Sequence, residues 1–120
     1  MDLAGRWDLV IEQGSTFERY FRWEDSSGSP IDLSPYSLRM TIRVTIGSIE
    51  YYASTEGASG TITISKPGAE GVFLIAMLPE DTESLDFVRA IYDVEAYTAG
   101  DAIVYRIVQG NVTLSREATT

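Results

Sequence analysis

Apolar and polar residues alternate with period two along much of this chain, most plainly where Leu38, Met40, Ile42, Val44 and Ile46 interleave with Arg39, Thr41, Arg43 and Thr45. Successive side chains of a strand point to opposite faces, so this stretch predicts a strand with one face on a core and the other in water. Further strands are expected over Trp7 to Glu12, Thr16 to Glu24, Ser48 to Ser54, Gly60 to Ser65, Val72 to Leu78, Ala90 to Thr98 and Ala102 to Leu114, the last with a bend at Gly110. Between them fall turn formers: DSSGSP at Asp25 to Pro30, KPG at Lys66 to Gly68, and Gly100-Asp101. Glycine there supplies positive φ, proline fixes φ, and aspartate accepts local backbone hydrogen bonds. Only PEDTESLD, Pro79 to Asp86, combines acidic residues with weak strand character, and it predicts a short helical turn crossing between sheets.

About eight short strands with hairpin-length connections and no long amphipathic helix predict an all-β fold. The expected architecture is an antiparallel β-sandwich, immunoglobulin-like or a small jelly roll or barrel. No linker, repeat or low-complexity tract divides residues 1–120, which therefore form one domain, with flexible ends expected over 1–5 and 115–120.

Two segments break the inside–outside rule. Val72, Leu74, Ala76 and Leu78 form one apolar face while Phe73, Ile75 and Met77 form another, and Ala102, Val104 and Val108 likewise oppose Ile103, Tyr105 and Ile107. Burying a large apolar side chain is worth about 1.5–3 kcal/mol, so a face of this kind left in water is a solubility liability. Cover could come from a neighbouring loop, from the helical turn, from barrel closure or from another protein chain. On the last reading Phe73, Ile75, Met77, Ile103, Tyr105 and Ile107 are the candidate protein interface.

Composition narrows the chemistry. Hydrophobic residues at 44% and charged residues at 22% are those of an ordinary globular protein, which argues against intrinsic disorder. Nine basic residues against eighteen acidic ones give a formal charge of −9. Nucleic acid is then a poor partner, because binding phosphate needs cations, and an anionic membrane surface is repelled. The longest apolar run, Val72 to Leu78, is far short of the roughly 20 residues that span a bilayer. The first ten residues carry Asp2 and Asp8 and no long apolar stretch, so no secretory signal is expected and synthesis in a cytoplasm is. Cysteine is absent, which removes disulfides, thiolate nucleophiles and cysteine-bound zinc. Histidine is absent too, and with it the commonest general base and metal ligand.

Asp93 and Glu95 in YDVEAY occupy alternate positions and share a strand face, the spacing that could serve acid–base catalysis or calcium. With Tyr92, Val94 and Ala96 on the core side, however, both carboxylates fall on the outer face, within reach of Arg39 or Arg43. Asp25 and Asp32 flank a glycine-containing turn but lack the regular oxygen spacing of a calcium loop. Ser15, Ser34 and Ser115 have no histidine to activate them. Phe21 and Trp23 share a face with Arg19 and could stack on a sugar ring, although packing is the usual role of such aromatics. The chain is read as not an enzyme, with no catalytic residue, no cofactor and no metal assigned.

Several ordered motifs resemble the small β-domain proteins encoded among the tail and baseplate genes of tailed bacteriophages. They are QGSTF at Gln13 to Phe17, WEDSSGSPIDLSPY at Trp23 to Tyr36, RMTIR at Arg39 to Arg43, YDVE at Tyr92 to Glu95, RIVQGNVTL at Arg106 to Leu114, and the terminal Glu117 before Thr119. The first part is similar to the N-terminal attachment domain of baseplate upper proteins. The likeness covers both ends and not Gly47 to Val88, and the chain departs from the pattern at Pro35, where a glycine is expected, and at Thr120, where a basic residue is. It implies a virion structural protein, a homo-oligomer docked with other virion proteins at the tail, baseplate or fibre base, and made in the host cytoplasm. The alternatives are a head decoration (cement) protein binding capsomers and a carbohydrate- or receptor-binding module.

Overall fold

The structure, a computed structural model, describes residues 2–45, 51–55, 61–66 and 70–116. Among these lie nine strands: β1 (Asp2–Leu3), β2 (Leu9–Glu12), β3 (Phe17–Arg22), β4 (Ser37–Arg43), β5 (Tyr51–Ser54), β6 (Thr63–Ser65), β7 (Val72–Met77), β8 (Arg89–Tyr97) and β9 (Val104–Ser115). One short helix, α1 (Pro79–Glu83), sits between β7 and β8, where the acidic turn was expected. Ile46, the start proposed at Ser48, the Pro67–Gly68 part of the KPG turn and the residues from Glu117 onward lie outside the described residues.

The alternation becomes burial directly. On β4, Met40 and Ile42 are buried while Arg39, Thr41 and Arg43 face outward, and on β8 Ala90, Tyr92, Val94 and Ala96 are buried in turn. The strands form two sheets, ordered β1-β3-β7-β6 and β2-β9-β8-β4-β5, with the core between them. The chain changes sheet between β1 and β2, β2 and β3, β3 and β4, β5 and β6, and β7 and β8, which matches the strand order of an immunoglobulin-like sandwich with β2 as a split first strand and β5 as an added strand.

The antiparallel expectation holds for the inner strands and is corrected at two edges. β1 runs parallel to β3 (Asp2 opposite Phe21) and β2 runs parallel to β9 (Leu9 opposite Val112). Parallel neighbours need long connections, and both pairs have them, whereas the β8–β9 hairpin joins antiparallel strands. Residues 2–12 thus form one arm that leaves the first sheet near Gly5 and joins the second. The arm is held by the bond from the Ala4 N–H to the Arg22 carbonyl (2.8 Å) and that from the Gln109 N–H to the Gly5 carbonyl (3.0 Å).

The arm fits because position 110 has no side chain. A Cβ on Gly110 would lie 2.0 Å from the Trp7 carbonyl oxygen, closer than any side chain tolerates. That same carbonyl accepts a bond from the Tyr92 hydroxyl (2.6 Å), and the Trp7 N–H donates to Gln109 (2.9 Å). Burial pushes the Tyr92 hydroxyl far above its ordinary pKa, so it remains a donor.

Both double-faced segments receive a structural answer, and it corrects the candidate interface. Phe73, Ile75 and Met77 are 0%, 0% and 3% exposed: they are core, with the Phe73 ring stacked on Phe21 at 5.7 Å. The opposite face of β7 is half-buried because β7 is an inner strand, with Tyr20 and Arg22 of β3 opposite Leu74 and Val72, and Thr63 and Ser65 of β6 opposite Ala76 and Leu74. On β9 the register shifts: Val94 pairs with Val108 but Glu95 pairs with Arg106, leaving Ile107 as the extra residue of a β-bulge. The bulge resets the alternation, so Ile107 and Val108 both turn inward, Ile107 at 7% exposure. Ile107 therefore leaves the candidate interface as well. Ile103 and Tyr105, at 44% and 48%, remain exposed.

Candidate interaction surface

The outer face of the five-stranded sheet carries the carboxylates singled out from the sequence. Cross-strand register places Arg39 opposite Glu95, and Glu95 opposite Arg106. Arg39 Nε donates to Glu95 Oε1 (2.8 Å), both terminal nitrogens of Arg39 reach Asp101 (3.3 Å each), and its guanidinium lies 4.3 Å from the centre of the Tyr97 ring. Asp93 pairs with Arg106 (3.4 Å). Burial lowers the Arg39 pKa, but the bonds and charges of Glu95 and Asp101 outweigh it and the net shift is upward. Burial raises the Asp93 pKa, and the neighbouring Glu95 charge adds to this. Each carboxylate is thus committed to an arginine, and the arrangement is a ladder of surface ion pairs of about 0–1 kcal/mol apiece. Among the described residues no group of three or more His, Cys, Asp or Glu side chains could hold a metal ion.

Asp25 and Asp32 each organise their own turn. Asp25 Oδ1 accepts from the Ser27 hydroxyl (2.7 Å) and from the N–H groups of Ser27 (2.9 Å) and Ser29 (3.0 Å), while Gly28 takes φ +85°. Asp32 Oδ1 accepts from the Ser34 hydroxyl (2.6 Å) and N–H (2.9 Å). These donors, the serine hydroxyl foremost, hold both carboxyls below their ordinary pKa.

The QGST stretch is also architectural. The buried Thr82 hydroxyl of α1 donates to the Ser15 carbonyl (2.8 Å) and lies within bonding distance of the Pro79 carbonyl (3.0 Å), and its oxygen accepts from the Gly14 N–H (3.1 Å). Gln13 Nε2 reaches the carbonyls of Glu83 (3.3 Å) and Leu85 (3.1 Å). The β2–β3 turn is thereby fastened to the helix.

Exposed apolar side chains are scattered, Val10, Leu78 and Val88 among them, but aromatic rings gather at the end of the sandwich where the β3–β4 loop meets the β8–β9 hairpin. Trp23, Tyr36 and Tyr105 contact one another there, with centroid separations of 5.5, 5.8 and 6.2 Å and interplanar angles of 59°, 61° and 67°. Buried Leu33 anchors the loop, and Lys66 Nζ donates to the carbonyls of Leu33 and Tyr36. The Trp23 N–H donates to Gly71 (2.8 Å) and its carbonyl accepts from Ile31 (2.9 Å), which folds the DSSGSP turn back on itself. The hairpin is closed by a reciprocal pair: the Thr98 N–H donates to the Ile103 carbonyl (3.0 Å) and the Ile103 N–H to Thr98 Oγ1 (3.0 Å). Ile103, Val104 and Tyr105 follow one another, all exposed, beside the aromatic trio.

The aromatic pair proposed for sugar stacking does not form a platform. Phe21 is fully buried, and only Trp23 reaches the rim. Arg19 lies over Phe21 (5.3 Å) and Trp7 (6.0 Å). Tyr105 is among the candidate interface residues, but Tyr36 and the meeting of both with Trp23 escape sequence reasoning because they come together only through the sheet exchange after β3 and the hairpin before β9. No protein-family model matches the chain, and no curated protein matches it.

Proposed function

We propose that this chain is a non-enzymatic structural domain of a tailed-phage virion, which docks onto tail, baseplate or fibre-base proteins through the loop end of its sandwich. The observation that carries the docking surface is exposed Tyr105 packed against Trp23 and Tyr36, with exposed Ile103 two residues before it. Rigid aromatics beside aliphatic side chains are what anchors protein interfaces, and each large side chain covered there contributes about 1.5–3 kcal/mol. The viral setting rests on the motif resemblance. The three rings, tilted 59° to 67° against one another, pack together rather than form one flat platform, which suits a protein partner.

Gold-labelled antibody against the chain, imaged by electron microscopy on intact particles, tests the assignment. Label at the tail tip or baseplate is the expected result. Label spread over the head would move the chain to the decoration role, and particles without label would end the virion reading.

A further inference from the structure

The loop end is ringed by carboxylates. Asp25 and Asp32 stand between Trp23 and Tyr36, Asp101 stands in the hairpin before Ile103, and Glu70 shares a shallow recess with Pro30, Arg22 and Val72 at the foot of the same loop. Two acidic groups of this region have cations of their own: Glu24 pairs with Arg22 (3.3 Å) and Asp101 with Arg39 (3.3 Å). Among the described residues no cation pairs with Asp25, Asp32 or Glu70. Lys66, the lysine of this end, spends its ammonium on the Leu33 and Tyr36 carbonyls.

Building on the docking reading, we propose that the loop end receives a basic segment of a different protein chain, whose apolar residues cover Ile103, Tyr105 and Trp23 and whose lysines or arginines meet Asp25, Asp32 and Glu70. Charge complementarity selects this occupant. A second copy would bring the same acidic loop end, with Arg22 beside Glu70 and no cation paired to Asp25 or Asp32, against itself, and like charges facing across an interface cost several kcal/mol. The whole chain at −9 adds repulsion of the same sign. The carboxylates are also fixed in place, since the turn donors that keep Asp25 and Asp32 ionised orient them without covering them. A partner cation therefore meets a preset charge, and only the apolar strip must be desolvated.

Carbodiimide labelling with glycine ethyl ester, run on intact particles and on the free protein and mapped by mass spectrometry, reads this contact. Asp25, Asp32 and Glu70 should label about tenfold less in the particle, whereas Glu80 and Asp81 of α1 keep their labelling, and zero-length cross-links should join the protected carboxylates to a different polypeptide. Equal labelling in both states, or cross-links between two copies of this chain, overturns the proposal. The neutral variant Asp25→Asn/Asp32→Asn/Glu70→Gln keeps the turn acceptors, so it should stay folded, with a somewhat lower melting temperature because the turn donors favour the charged form, and fall about tenfold in particle incorporation. Full incorporation of that variant overturns the need for a basic partner while leaving docking itself standing, and particles that lack the wild-type chain overturn both readings.

Discussion

Replacing Gly110 by alanine sets backbone propensity against sterics, and the two disagree in sign. In a strand, alanine should be the better residue by about 0.5–1 kcal/mol, because glycine loses more backbone entropy on folding. Here, however, the new Cβ would stand 2.0 Å from the Trp7 oxygen and 2.7 Å from its carbonyl carbon, so the arm must retreat by about 1 Å or more to reach ordinary contact. The retreat breaks the Tyr92–Trp7 bond and strains the Trp7–Gln109 and Gln109–Gly5 bonds. A buried hydroxyl left without its partner costs about 1–3 kcal/mol and each weakened backbone bond about 0.5–1.5. Gly110→Ala should therefore lose about 3 kcal/mol, which a domain of this size survives. Urea unfolding followed by circular dichroism measures the loss. Tyr92→Phe provides the cross-check: it should cost about 1–2 kcal/mol in the parent and much less in Gly110→Ala, where the bond is already gone. An alanine variant as stable as the parent, or two fully additive substitutions, would refute the account of the arm.

Thr82→Val keeps shape and removes the bonds that fasten the β2–β3 turn to α1, so it should cost about 1–3 kcal/mol in urea melts, with Thr82→Ser recovering most of it. Ile75→Asp buries a charge in the core and should lose more than about 4 kcal/mol, giving unfolded or insoluble protein, whereas Ile103→Asp should remain soluble and within about 1 kcal/mol of the parent in the same assay. Burial raises the folded pKa of Asp93 above its unfolded value, so its contribution is greatest below the unfolded value and is lost as pH rises through the folded one. Asp93→Asn should accordingly flatten the pH dependence of the melting temperature just above the usual aspartate range, and at pH 7 leave stability within about 0.5 kcal/mol of the parent or above it. Asp25 and Asp32 act in the opposite sense, with folded values lowered, so acid should destabilise the β3–β4 loop below that range; amide exchange of Ser27, Ser29 and Ser34 reports it.

Much of the sandwich was legible because its inner strands obey strict alternation. Met40 and Ile42 face the core and Arg39 and Arg43 the solvent, as the period-two pattern demands. The outward placement of Asp93 and Glu95 followed from the same rule, and Arg39 pairs with Glu95, although Asp93 takes Arg106, which the alternation did not bring forward. The apolar faces misled for two distinct reasons. Phe73, Ile75 and Met77 looked uncovered because periodicity gives no strand order, and only an inner place in the sheet explains why both faces of β7 can be apolar. Ile107 looked misplaced because one extra residue in a strand inverts the phase of everything beyond it, and no side chain announces a bulge. β1 is only two residues long, beneath what any pattern of alternation can register. The loop-end surface was half legible: Tyr105 and Ile103 stood among the interface residues, but their meeting with Trp23 and Tyr36 is a product of topology.

The arm also dictates an order of events in folding. Its second half lies against a strand that follows it by about a hundred residues, with Asp8 and Asn111 bonded across a separation of 103 positions. When β2 emerges from the ribosome its partner does not yet exist, so it must wait, with Leu9 and Ile11 unburied, until β9 has been made. High contact order of this kind slows folding, and a waiting strand is open to pairing with a neighbouring nascent chain. Expression at low temperature, or with a chaperone that shields exposed strands, should therefore raise the yield of native protein more than any change to its surface.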